Sequence, residues 1–146
     1  MIRRVQQGDE EGCGIACVAM VTGKTYPQAK RFFVEHVFLP TDRKPHTRHY
    51  QLRRALQKLR ITTEKRLFRN WRSIEDLSIV PTNRRMDSGW HWVVYVPNGV
   101  RPYILDPMAG KRQRRYDFRG MRARGLYIAI KVSKKSNPTM GLKERW

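Results

Sequence analysis

The chain has 146 residues, enough for one compact domain and too few for two. Apolar residues make up 40%, which argues against wholesale disorder, and no run of about 18 apolar residues is present to span a bilayer. Lys and Arg total 31 against 12 Asp and Glu, a formal charge of +19 that exceeds what solubility needs and points to a polyanionic partner, an acidic substrate or a negatively charged surface.

The basic residues after Met1 are not followed by an apolar stretch, so no signal peptide is expected and the chain is expected to be soluble and cytosolic. Residues 13–22 are apolar on nearly all sides, the pattern of a buried helix, and Gly23 is a fitting stop. Thr25 and Gln28 form a capping box for a second helix, with Pro27 tolerated in its first turn. Ala29, Phe32, Phe33 and Val37 give that helix one apolar face, and Leu39-Pro40 ends it. A polar loop over 41–47 leads to a third helix at about 48–59, where Leu52, Ala55, Leu56 and Leu59 recur at helical spacing. Its other face carries Arg48, Arg53, Arg54 and Lys58.

The second half changes period. Short β-prone runs lie at 61–63, at 77–80 before Pro81, at 91–96, at 103–105 and at 126–132. Helices first and strands second predict an α+β fold, helices packed on a mostly antiparallel sheet. The expected organisation is one domain over 1–132 and a basic, polar C-terminal tail over 133–146.

The two cysteines are Cys13 and Cys17. One helical turn apart, their Cβ vectors run parallel, so they are a poor disulfide pair, and no Cys/His spacing suggests zinc. Cys13 lies between Gly12 and Gly14 at the start of a buried helix. Free N–H groups and a partial positive charge there favour a thiolate, and the glycines let a substrate backbone come close. Cys17 falls one turn inside the helix and is assigned to the core. Asp9, Glu10 and Glu11 would oppose a thiolate if they pointed at it.

A cysteine nucleophile needs a base, and the base an orienter. Of the four histidines, His36, His46 and His49 read as helix-end or loop residues, whereas His91 opens the strongest strand. That strand runs to Asn98-Gly99, a strong hairpin signal. A two-residue loop there sets His91 directly opposite Asp106, near enough for the carboxylate to orient the imidazole. Pro97 and Pro102 lack N–H groups at ladder positions and are the features that would widen the loop or shift the register.

The segment from Gln7 through Gly12-Cys13-Gly14 to Met20 resembles the catalytic motif of the double-glycine-leader peptidases, the papain-like cysteine peptidases that process bacteriocin and pheromone precursors. His91-Trp92-Val93-Val94 and Asp106-Pro107 resemble that family's His and Asp motifs, in order. The resemblance runs from about Gln6 to Gly110. It implies a papain-like fold and a peptide or protein substrate. Cys13 would be the nucleophile, His91 the base, Asp106 the orienter and Gln7 an oxyanion-hole donor. No metal or organic cofactor is implied. A papain-like deamidase or acyltransferase uses the same parts.

Half of the residues from Lys111 to Arg124 are Lys or Arg, with Tyr116 and Phe118 between them, and Arg66, Arg69 and Arg72 surround Phe68 and Trp71. Exposed, these aromatics would suit single-stranded nucleic acid; turned inward, they leave a solvated cationic surface. A nucleic-acid-binding or acidic-protein-binding module on the same scaffold is the alternative function.

Overall fold

The computed structural model describes residues 2–37, 46–85 and 89–131. Three helices come first: α1 (Cys13–Thr22), α2 (Tyr26–His36) and α3 (His49–Lys58). Five strands follow: β1 (Thr62–Leu67), β2 (Ser78–Arg85), β3 (Gly89–Val96), β4 (Tyr103–Leu105) and β5 (Leu126–Lys131). The strands form one sheet in the order β1-β5-β2-β3-β4, and every pairing is antiparallel. This is the α+β arrangement expected.

Every residue of α1 is buried, as its continuous apolar run requires. Gly23 ends it in the left-handed conformation, φ 73°, which costs a residue without a Cβ little. Thr25 and Gln28 do form the capping box of α2, whose last helical residue is His36; the expected stop at Leu39-Pro40 lies outside the described residues. The tail expected over 133–146 lies outside them too.

Alternation along the strands builds two cores. Ile79, Trp92, Val94, Leu105, Ile128 and Ile130 pack under the three helices. Val80, Val93, Tyr95, Ile104, Tyr127 and Ala129 point the other way. That second face is covered not by the three α-helices but by Phe68, Trp71, Ile74, Phe118 and Met121, of which Trp71 opens a short 3-10 turn. Trp71 stacks on Tyr95 at 5.8 Å and meets Phe68 at 5.1 Å and Phe118 at 5.2 Å. Most of the aromatics threaded through the two basic segments therefore close a core, and their arginines face water.

β3 begins at Gly89, two residues before its expected opening at His91, and three further features of the sheet differ from expectation. β2 runs on through Pro81 because β5 pairs only with Ser78 and Ile79, so no ladder donor is needed on that edge at Pro81. β1 continues through Glu64, Lys65 and Arg66, an edge strand whose charges stay solvated. The hairpin after β3 is the third. Val94 pairs with Leu105 and Val96 with Tyr103, so the loop spans 97–102 and the register lies two residues from that of a two-residue turn. The prolines at both ends of this loop supply no ladder N–H groups, and the pairing begins only beyond them.

Candidate active site

The register correction leaves the chemistry in reach. A slip of one residue would have sent His91 and Asp106 to opposite faces of the sheet; a slip of two keeps them on one face as diagonal neighbours. Their side chains meet: His91 Nε2 lies 2.7 Å from Asp106 Oδ1. Asp106 Oδ1 also accepts the Met108 backbone N–H at 3.0 Å. With Nε2 engaged by Asp106, the other ring nitrogen is left free, and Cys13 lines the same cleft as His91.

Cys13 reaches this point because α1 docks end-on beside β3. It is the first helical residue, and no side chain caps the first turn, so N–H groups there remain open toward the thiol. The Trp92 backbone N–H donates to Cys13 Sγ at 3.4 Å. Close approach depends on Gly14, where an added Cβ would fall 1.9 Å from Thr47 Oγ1 and 3.0 Å from Trp92 Cδ1. Gly12 is equally constrained, since a Cβ there would sit 1.9 Å from the Tyr26 hydroxyl.

Burial is the largest influence on both His91 and Asp106 and disfavours their charged forms, yet their mutual hydrogen bond and the surrounding favourable interactions together outweigh it. The His91 pKa is raised to about 9, burial opposing and the contacts with Asp106 and Cys13 prevailing. Asp106 is held below the ordinary carboxylate range, against burial, by His91, the Met108 N–H and the charge of Lys111. Burial pushes the Cys17 thiol well above its ordinary value, with the charges of Cys13 and Asp106 adding to the effect, consistent with a core cysteine.

Cys13, His91 and Asp106 open on a cleft of about 330 Å³, walled in part by Glu10, Glu11, Trp90 and Lys111. The acidic residues before Cys13 are occupied. Asp9 accepts from the Tyr26 hydroxyl at 2.7 Å and pairs with Lys30 at 2.9 Å, while Glu11 lies 3.4 Å from His46 Nδ1. His49 Nε2 is 2.7 Å from the Leu126 carbonyl, and His36 ends an exposed turn of α2.

Gln7 is held apart from these three. Its Nε2 donates to the Asp9 and Glu10 carbonyls, at 3.0 and 2.8 Å, so both amide hydrogens point into the loop rather than the cleft. Its backbone N–H is tied to the Pro107 carbonyl at 2.8 Å. The same lacing brings in two contributors that no sequence signal marks. Arg4 donates to the carbonyls of Asp106, at 2.6 Å, and of Met108, clamping the turn that carries the carboxylate. The Trp92 N–H is invisible to any reading of residue types. Among the described residues, no group of three or more His, Cys, Asp or Glu is placed to hold a metal ion, and no helix is long and apolar enough to cross a membrane.

The fold has a known counterpart. The chain superposes on the crystal structure of a double glycine motif protease from an AMS/PCAT transporter, solved in complex with the leader peptide. The TM-score is 0.64 and the sequence identity 18%, over 91% of this chain and 93% of that one. No family model and no curated protein sequence matches the chain. Three N-terminal helices on a five-stranded antiparallel sheet are thus the architecture of a papain-like peptidase domain.

Proposed function

We propose that the chain is a cysteine peptidase that cleaves a peptide or protein amide bond. The observation that carries the reading is the Asp106–His91 hydrogen bond opening on one cleft with Cys13, which stands at an uncapped helix start. In this mechanism Cys13 attacks the scissile carbonyl carbon as a thiolate paired with the His91 imidazolium. The tetrahedral oxyanion is met by the backbone N–H of Cys13 and by Gln7 Nε2, once that amide turns from the carbonyls of Asp9 and Glu10 into the cleft. His91 then passes its proton to the leaving amine, the C–N bond breaks, and water releases the acyl group from sulfur. Asp106 holds Nε2 throughout, keeping the other nitrogen aimed at sulfur. A peptide with two glycines before the scissile bond is the first substrate class to try, given the fold counterpart bound to a leader peptide.

Thiol labelling tests the reading before any substrate is known. The folded protein meets limiting iodoacetamide at pH about 6, where an ordinary thiol of pKa near 8.5 is scarcely ionised. Peptide mapping should find Cys13 labelled rapidly and Cys17 spared, with labelling slowed in His91→Ala. Equal sluggishness at both cysteines would sink the proposal of a primed pair. With a cleaved substrate in hand, Cys13→Ala should abolish turnover and Gln7→Ala should lower kcat by about 10²–10³.

A further inference from the structure

A second concavity lies away from the cleft and shares no lining residue with it. It is a groove of about 730 Å³ between α3 and β1, more than twice the volume of the catalytic cleft. Its helical wall is one face of α3: Tyr50, Arg53, Arg54 and Gln57 recur at helical spacing. Arg60, Thr62, Thr63 and Lys65 line it from the turn and the edge strand. No carboxylate lines it among the described residues.

The cations differ in what they do. Arg53 is structural, its guanidinium donating to Thr63 Oγ1 at 2.9 Å and to the Thr63 carbonyl at 3.3 Å. Arg54, Arg60 and Lys65 make no ion pair among the described residues and stay solvated around the groove. Arg60 sits at φ 64°, the left-handed position that ends α3, where glycine or asparagine is the relaxed choice. A long cationic side chain held there against backbone preference is the kind of strain that accompanies binding sites.

The aromatic content chooses the ligand. With Phe68, Trp71 and Phe118 turned into the second core, Tyr50 and Tyr116 are the exposed aromatic rings among the described residues, at 65% and 37%. Arg101 already lies over the Tyr116 ring at 3.9 Å. The Tyr50 ring is left open beside Arg54. An acidic peptide would use the cations and leave this ring idle, whereas an unpaired base can stack on it while its phosphates meet Arg54, Arg60 and Lys65. A base paired within a duplex has no open face to offer.

We infer that the groove between α3 and β1 binds single-stranded nucleic acid, independently of the cysteine site. The test is fluorescence anisotropy on the full chain with a labelled mixed-sequence DNA dodecamer, its duplex and a glutamate-rich peptide, at salt between about 50 and 300 mM. The single strand should bind best, with log affinity falling linearly against log salt. Tyr50→Ala should weaken it about tenfold without changing the slope, as loss of one stacked base does. The double substitution Arg54→Glu, Lys65→Glu should flatten the slope by about 1.4, or about 0.7 for each lost phosphate contact. These surface variants should keep the wild-type rate of Cys13 labelling, which separates failure of this site from failure of the peptidase reading. Binding that ignores both variants would place the affinity in diffuse charge and overturn the proposal. So would a duplex that binds as tightly as the strand, or a glutamate peptide that binds equally well to wild type and Tyr50→Ala.

Discussion

The proton on His91 links the site to the stability of the whole chain. An imidazole whose pKa rises from 6.5 to about 9 on folding stabilises the native state fully below pH about 6.5, where both states hold the proton. Between pH 6.5 and 9 the unfolded chain releases its proton while the folded site keeps it, so that contribution falls as pH rises and is gone above pH 9. At 1.36 kcal/mol per unit it amounts to at most about 3 kcal/mol. Urea midpoints at pH 6 and 9.5 should show wild type losing stability across this window and Asp106→Asn losing much less. An identical pH profile for both would mean that the carboxylate does not hold the proton. Cys13, His91 and Asp106 were legible as residues because a helix start, a strong β-run and an Asp-Pro stop each leave a local mark. The unengaged state of Gln7 was not legible. Spacing places its backbone near the loop, but which carbonyls take its amide is a tertiary matter.

Among the elements, α1 has the least freedom. It is buried along its whole length and meets β3 through a glycine where almost any other residue has a Cβ. Gly14→Ala would push a methyl group into Thr47 Oγ1 and the Trp92 ring, whose own Nε1 is fixed by the Thr47 carbonyl at 3.0 Å. We expect a loss of about 1–3 kcal/mol, read as a lower thermal midpoint, even though alanine is the better helix former. An unchanged midpoint would show that the 46–48 segment gives way freely. The helices could be read from the sequence because capping, periodicity and the glycine stop agree. The hairpin register could not, since Asn98-Gly99 promises a tight turn that Pro97 and Pro102 override. Pro81 looks like a terminator of β2, and only the sheet order reveals that its edge is free there.

At the scale of the molecule, a charge of +19 on 146 residues works against compactness. Ion pairs relieve part of it, such as Arg66 between Glu64 and Asp76 at 3.0 and 2.7 Å, but basic residues far outnumber acids. Screening should therefore stabilise the fold. Raising salt from about 0.01 to 0.5 M, which shortens the Debye length from about 30 Å to a few ångströms, should raise the thermal midpoint by several degrees. A midpoint that falls instead would mean that the surviving ion pairs outweigh the repulsion. The same salt would weaken nucleic acid in the α3–β1 groove, so stability and binding should move in opposite directions along one titration.

The hydrogen bond from the Trp92 backbone to Cys13 Sγ has a genetic consequence. Imidazole, carboxylate and amide can each be deleted by a single codon change, and a lineage that no longer needs the chemistry can shed them one by one. The donor on the sulfur survives every substitution at Trp92 except proline, because every other amino acid carries it. A descendant stripped of His91 and Asp106 would still cradle its thiol against β3, held there by the backbone alone.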